Sequence, residues 1–216
     1  MRVSRLDDAE LPASSRVRAT TAPLIERDSD TDLICRYLDG DEHAFEIIFR
    51  KYEGPIFNLV SRMVSGEDAY DLTQDVFCNA LRSLPHFRGD SKFSTWLYSI
   101  ARNVCLNRIR HAACIREESL EQMSEDQPHV QLRDKSPAIE SVLETHELQR
   151  IVNSVLLTLS PEQRLLVTLR DFEQLSYDEI AEVTGMSLVN VKSKLHRARM
   201  AFKDRFKPYL PMVSED

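Results

Sequence analysis

Apolar residues fall every three or four positions along most of this chain, the spacing that gathers them on one face of an α-helix. Alternating runs, the mark of a half-buried strand, are short. From Asp32, the residues Leu33, Ile34, Tyr37 and Leu38 share a face, and Gly40-Asp41 reads as a turn. Ala44, Phe45, Ile47, Ile48, Phe49 and Tyr52 make a strongly apolar helix. Ile56, Leu59, Val60 and Met63 continue the rhythm, with Gly54-Pro55 either punctuating the run or opening the next helix. Ser65-Gly66 is another break. Over 68–84, Leu72, Val76, Phe77, Ala80, Leu81 and Leu84 form a buried stripe, leaving Asp71, Thr73, Gln74, Asp75 and Asn79 for the other face. Acids near a helix N-terminus suit the macrodipole. They equally suit a docking face for a partner protein, and periodicity does not choose.

Residues 85–89 read as a loop. A helix is expected to begin near Ser91 or Ser94, with Phe93, Trp96, Leu97, Ile100 and Val104 as its core stripe. The stretch 118–136 has no helical stripe and contains Pro128, so it reads as a flexible acidic linker. From about Pro137 the period returns through Ile139, Val142, Leu143, Leu148, Ile151, Val152, Val155, Leu156 and Leu159. Ser160-Pro161-Glu162-Gln163 marks a restart, with an N-cap serine and proline at the first helical position. Leu165, Leu166, Leu169 and Phe172 carry the stripe on, with Val167 at its margin.

The most structured pattern spans 176–207. Ser176 and Glu179 have capping-box spacing. Ile180, Ala181 and Val183 give a short apolar face, and Gly185 supplies the left-handed residue that ends a helix in a tight turn. Ser187 is the next N-cap, after which Val191, Leu195, Ala198 and Phe202 point inward. Asn190, Lys192, Ser193, Lys194, His196, Arg197 and Arg199 are left for the outside. This is a helix-turn-helix whose second helix suits the DNA major groove.

Charge sharpens that reading. The chain is 216 residues long with a formal net charge of -7. Yet residues 187–207 hold seven Lys/Arg and one Asp, and residues 82–116 again hold seven and one. Two basic islands in an acidic chain point to directed nucleic-acid binding. In the earlier island Phe87, Phe93, Trp96 and Tyr98 interleave with the charge, as suits stacking on unpaired bases. Trp96 on its own fits a core position better than a stacking platform. Arg102, Asn103, Asn107 and Arg110 have the stronger claim to solvent. Residues 117–147 carry nine Asp/Glu against two Lys/Arg.

Five glycines and short β-branched runs favour an all-α chain. No apolar run approaches the roughly 20 residues that span a bilayer, and no signal peptide is visible. The four cysteines show no CxxC spacing and fit reduced core fillers of a cytosolic protein. No phosphate loop, HExxH or local nucleophile motif stands out, and the six histidines are scattered. Catalytic residues, metal sites and cofactors are therefore expected to be absent.

Four motifs in this order, DLTQDVF (71–77), FRGDSKFSTWLYSIARN (87–103), LSPEQR (159–164) and LSYDEIAEVTGMSLVNVKSKLHRAR (175–199), resemble those of bacterial extracytoplasmic-function sigma factors. The resemblance covers roughly residues 32–206. It implies two small helical domains joined by a flexible linker. The expected division is a disordered extension over 1–30, a sigma domain 2 over 31–116, an acidic linker over 117–136, a sigma domain 4 over 137–207 and a tail over 208–216. It implies core RNA polymerase, through its clamp and flap, and promoter DNA as partners. An anti-sigma factor is a further implied partner, holding a cytoplasmic protein in check until stress, at the inner membrane in some arrangements. No small-molecule substrate and no direct membrane insertion are implied. Carried over by residue, Asp71, Gln74, Asp75 and Phe77 would meet the polymerase. Phe87, Arg88, Lys92, Phe93, Trp96, Tyr98, Arg102 and Asn103 would open and read the minus-10 element. Tyr177, Ser187, Asn190, Lys192, Ser193, Lys194, His196 and Arg197 would read the minus-35 element. Lys192 and Arg197 would address guanine edges, and Tyr177, Ser187 and Lys194 phosphates. Lys194 stands where this family often has arginine, and an ammonium lacks the planar fork that grips two acceptors at once. A ligand-sensing one-component regulator and a polymerase-binding protein that ignores DNA are the rival classes. The aromatic, basic first half argues against the former and the basic recognition helix against the latter.

Overall fold

The structure is a computed structural model that describes residues 29–64, 68–122 and 140–210, with side chains described except over 116–122 and 140–146. The expected extension over 1–28, the Ser65-Gly66 break, most of the acidic linker and the end of the tail lie outside those residues. Every regular element among them is helical. In chain order these are α1 (Asp30–Leu38), α2 (Glu42–Met63), α3 (Ala69–Ser83), α4 (Phe93–Gln122), α5 (Glu140–Thr158), α6 (Pro161–Val167), α7 (Tyr177–Thr184) and α8 (Leu188–Phe206). α1 to α4 form one unit and α5 to α8 a second, and buried residues run through both as one cluster.

The first helix starts earlier than its apolar pattern suggests. Ser29 is its N-cap, in a capping box with Asp32, so Ser29 and Asp30 belong to the fold and not to a disordered extension. Asp30 also fastens α1 to α2, pairing with Lys51 Nζ at 2.6 Å and accepting from Tyr52 Oη at 2.5 Å. Leu38, expected inward, is 49% exposed, because the helix ends there and turns away at Gly40.

α2 resolves the open reading at Gly54-Pro55, since the helix runs straight through both. An interior proline costs roughly 3 kcal/mol. Ala44, Ile48, Tyr52, Ile56, Leu59, Val60 and Met63 nonetheless stay in register on one buried face across it. Packing of an unbroken face outweighs the local penalty. In α3, Thr73 is buried, not exposed as expected, and its hydroxyl donates to the Ala69 carbonyl at 2.7 Å.

α4 extends to Gln122, beyond the expected linker boundary at 117. The residues from Glu117 to Gln122 are good helix formers apart from one serine, and the nearest proline is Pro128. Of the stripe expected for α5, Ile139 and the side chains of Val142 and Leu143 lie outside those described, and Ile151 and Val152 are half-buried. Val155, Leu156 and Leu159 are buried, whereas Leu148 is exposed. Val167, placed at the stripe margin, is buried, and just beyond it the helix widens into a π turn over Thr168–Phe172. The final 3₁₀ turn, Lys207–Tyr209, sets the Tyr209 ring at a tilt 6.3 Å from that of Phe206, so the first tail residues are part of the fold.

Arg164 joins helix ends. Its side chain is buried, and it donates to the carbonyls of Leu156 (3.0 Å), Leu157 (2.7 Å) and Leu159 (3.2 Å) at the C-terminal end of α5. Its Nη1 donates at 2.5 Å to Met63, the last residue of α2. Carbonyls at a helix C-terminus lack intrahelical donors and carry partial negative charge, so a guanidinium suits them twice over. Burial pushes its pKa down, but arginine stays charged.

Arg164→Met keeps the aliphatic stem and removes a donor from four carbonyls, of which Leu156 keeps the Leu159 N–H at 3.0 Å. It should cost about 2–3 kcal/mol, seen as a lower urea midpoint with an unchanged m-value. Thiol labelling checks the core separately. Cys35, Cys78 and Cys114 are exposed, while burial pushes the Cys105 thiol up to about 12. Three thiols should label in the native chain, and Cys105 only in denaturant.

Candidate nucleic-acid and polymerase interface

The helix-turn-helix forms as its sequence dictates. Ser176 and Glu179 make a capping box on α7, with Ser176 N–H donating to Glu179 Oε2 at 2.8 Å. Gly185 ends α7 at φ 70°, ψ 17°, a left-handed conformation costly for any residue with a Cβ. Ser187 then caps α8, accepting from Asn190 N–H at 3.3 Å. Val191, Leu195 and Ala198 are buried, and Phe202 is half-buried against Phe206.

The outward residues of α8 divide into two groups. Asn190, Lys192, Ser193, His196 and Arg197 are exposed. Neither Lys192 nor Arg197 has a carboxylate partner among the described residues. Lys192 Nζ lies 5.7 Å from the ring centre of Tyr177, and Arg197 Nη2 is 3.4 Å from Ser193 Oγ. By contrast, Lys194 is paired with Glu162 and Arg199 with Asp171. Tyr177 is half-buried, with the Arg170 guanidinium 4.8 Å from its ring centre. Its availability is therefore lower than that of the exposed group.

In the first unit Phe87, Phe93 and Trp96 form one aromatic cluster with Tyr52. Ring centres are 5.1 Å apart for Phe87–Trp96, 5.5 Å for Phe93–Trp96 and 5.5 Å for Tyr52–Phe93. Phe93 is buried, and Phe87 and Trp96 are half-buried at its rim. Arg88 and Asn103 are exposed, and Arg102 Nη1 leans on Asn103 Oδ1 at 3.1 Å. Lys92 and Tyr98 are drawn the other way, toward the second unit. On α3, Asp71, Gln74 and Asp75 are exposed together, with Asn79 half-buried beside them. Phe77 is only 4% exposed, its ring 4.5 Å from that of Phe49, so it supports this face from behind.

Two carboxylates of the second unit reach those residues. Glu173 accepts from Tyr98 Oη at 3.0 Å and lies 3.6 Å from Arg62 Nη1, while the Arg62 guanidinium stacks on Phe172 at 4.3 Å. Burial pushes the Glu173 carboxyl up, and the Tyr98 and Arg62 contacts oppose that. Burial first, then Glu173, pushes the Tyr98 phenol up. Glu179 meets Lys92 Nζ at 2.8 Å through the oxygen its capping box leaves free. Arg62, Glu173 and the bridging role of Arg164 escaped the sequence reading. Arg62 and Glu173 find partners far away along the chain, as Arg164 does in Met63, and no local pattern marks them.

This geometry has relatives. The Sigma-70 region 2 family matches residues 48–113, and Sigma-70, region 4 matches residues 149–202. Both units, in this order, are those of a sigma-70-type transcription initiation factor. The ECF RNA polymerase sigma-E factor of Haemophilus influenzae is 33% identical over 191 residues, 87% of this chain and 100% of that protein. That of Escherichia coli (strain K12) is 32% identical over 189 residues, covering 86% and 98%. The chain belongs to the extracytoplasmic-function RNA polymerase sigma factors, which direct the polymerase to promoters and initiate transcription there. Two solved structures share its fold, each with a TM-score of 0.59. The sigma factor RpoE, in complex with the anti-sigma factor NepR from Bartonella quintana, is 20% identical over 76% of this chain and 96% of its own. CnrH, in complex with the cytosolic domain of CnrY, is 23% identical over 84% and 99%.

The Glu179 carboxyl is held at about 2, below its usual 4.5, first by the Lys92 hydrogen bond and then by Ser176 N–H. A depressed carboxylate stabilises the fold above its ordinary pKa, and that stability is lost as pH falls through the folded value. The loss therefore spans pH 4.5 down to about 2. Glutamine still completes a capping box. In Glu179→Gln, urea midpoints should fall less between neutral and acid pH than in the parent chain.

Proposed function

We propose that the first unit, over 31–116, opens and reads the minus-10 element, and that the second, over 137–207, reads the minus-35 element. The observation that carries this is the exposed, carboxylate-free set Asn190, Lys192, Ser193, His196 and Arg197 on one side of α8. Lys192 and Arg197 project cations that no carboxylate among the described residues neutralises, the usual donors to guanine O6 and N7. Ser187 sits at the helix N-terminus, where backbone N–H groups favour a phosphate. Lys194 and Tyr177 are assigned to phosphate contacts, and Lys194 would have to leave Glu162 to make one. In the first unit, Arg88, Lys92, Arg102 and Asn103 would hold the strand. An extruded base would stack at the rim formed by Phe87 and Trp96 over Phe93. Extrusion costs a few kcal/mol, which ring contact and phosphate pairing together must offset. Tyr98 would join that surface once free of Glu173.

Asp71, Gln74 and Asp75 are assigned to the polymerase clamp, with Phe77 fixing their helix, and the second unit to the flap. On this reading the polymerase performs the chemistry and the chain is no enzyme. No helix among the described residues is long and apolar enough to cross a membrane, in keeping with a cytoplasmic factor. An anti-sigma factor is the expected regulator, as NepR is in the complex of similar fold from Bartonella quintana.

Transcription in vitro with core polymerase, this chain and a pool of genomic promoter fragments tests the assignment. Specific starts should appear and fall at least 10-fold when Lys192 and Arg197 are both changed to alanine. Retained starts in that variant would refute the α8 assignment. Core binding without specific starts would favour a protein that acts on polymerase alone.

A further inference from the structure

α8 carries an apolar side chain that the fold does not use. Val189, its second residue, is 76% exposed, the most open of the large hydrophobic side chains among the described residues. Met186 and Leu188 beside it are half-buried, and Val191, Leu195 and Ala198 supply the packing of the helix against its unit. Local stability does not explain the choice either. Valine is a mediocre helix former, because its branched Cβ loses rotamer freedom against the preceding turn. Alanine or lysine at 189 would leave the core as it is and favour the helix.

Position gives this side chain a use. Ser187 caps α8, so Val189 projects from the first turn, and the N-terminal residues of a recognition helix are those that reach base edges. Val189, Ser193, His196 and Arg197 follow one another at helical intervals on one exposed side, with Lys192 three residues away. An isopropyl group has no donor or acceptor. It tells base pairs apart by shape and by contact with an apolar group, and the group of that kind in the major groove is the C5 methyl of thymine.

We propose that Val189 is a specificity-determining residue that packs on a thymine methyl in the minus-35 element. The proposal rests on the assignment of α8 to that element, and adds a kind of contact that its polar residues do not make. Lys192 and Arg197 address guanines through hydrogen bonds, whereas Val189 marks a thymine by exclusion of water. Stiffness suits it to this task, since a restricted χ1 has little freedom left to lose when the contact forms. Three residues of helix span about 4.5 Å, so the thymine lies within about two base-pair steps of the guanine that Lys192 addresses. Hiding one methylene-sized group from water changes an equilibrium about fourfold, which sets the size of the effect.

Deoxyuridine isolates the contact, because it lacks the C5 methyl and keeps every hydrogen-bonding group of thymine. Promoter fragments that give specific starts with core polymerase and this chain are remade with one deoxyuridine at a time, across both strands of the minus-35 element. Holoenzyme binding is then measured by competition with the unmodified fragment. At one thymine, loss of the methyl should weaken binding about threefold with the parent chain, and less than about 1.3-fold with Val189→Ala. Alanine at an exposed helical position favours the helix, so a folding defect does not mimic this result. Val189→Thr, which keeps a branched methyl, should retain part of the sensitivity. Deoxyuridine without effect at every position, or the same loss with the parent and Val189→Ala chains, would overturn the inference. If the Lys192→Ala, Arg197→Ala variant still loses specific starts, that failure is confined to Val189. Specific starts that survive in that variant would sink the α8 assignment itself.

Discussion

A single guanidinium holds the junction of the two units. The C-terminal end of α5 and the last residue of α2 both present carbonyls with spare acceptor capacity, and Arg164 donates to four of them from a buried position. Such an arrangement concentrates risk. Burying a cation is expensive unless every donor finds an acceptor, and here the acceptors are backbone groups that are themselves in need of donors. Each half of the bargain is unfavourable alone. Together they fix the direction in which α6 leaves α5, and hence where α7 and α8 stand relative to α2 and α4.

Much of this was legible in the chain. The helix-turn-helix could be read almost residue by residue, because capping boxes, a left-handed glycine and a period of 3.6 are local signals and nothing tertiary opposed them. Ser176, Gly185, Ser187 and the buried Val191, Leu195 and Ala198 all stand as expected. The failures have a shared cause as well. Pro55 announces a break that a continuous buried face overrides, and Thr73 looks polar until its hydroxyl bonds back to its own helix. Leu38 and Leu148 look like core and are not: α1 ends at Leu38 and turns away, and Leu148 lies ahead of the buried end of its helix. Periodicity says which side of a helix is apolar and is silent on where the neighbouring helix stops.

The candidate surfaces divide along the same line. Exposure of Asn190, Lys192, Ser193, His196 and Arg197 follows from the helical wheel. That Lys194 and Arg199 are tied to Glu162 and Asp171 does not, since those acids come from α6 and the π turn. The carboxylates opposite Lys92 and Tyr98 are further still from sequence, lying 87 and 75 residues away. Charge counts found two basic islands correctly. They could not show that the first island is partly neutralised by acids from the far end of the chain, because a net charge records quantity and not address.

α4 runs for 30 residues, from Phe93 to Gln122, about 45 Å at 1.5 Å per residue. Its first turns carry the aromatic cluster and Tyr98, while Asn107 and Arg108 further along lie beside Leu72, Asp75 and Asn79 of α3. One rigid rod therefore bears both the surface assigned to the strand and the backing of the surface assigned to the polymerase. Evolution cannot retune these independently by tilting or sliding α4, since any rigid displacement at one end is inherited at the other. On the proposed assignment, changes in minus-10 preference are thus drawn toward side-chain exchange on a fixed axis and toward the loop that precedes it, whereas α8 can vary on its own.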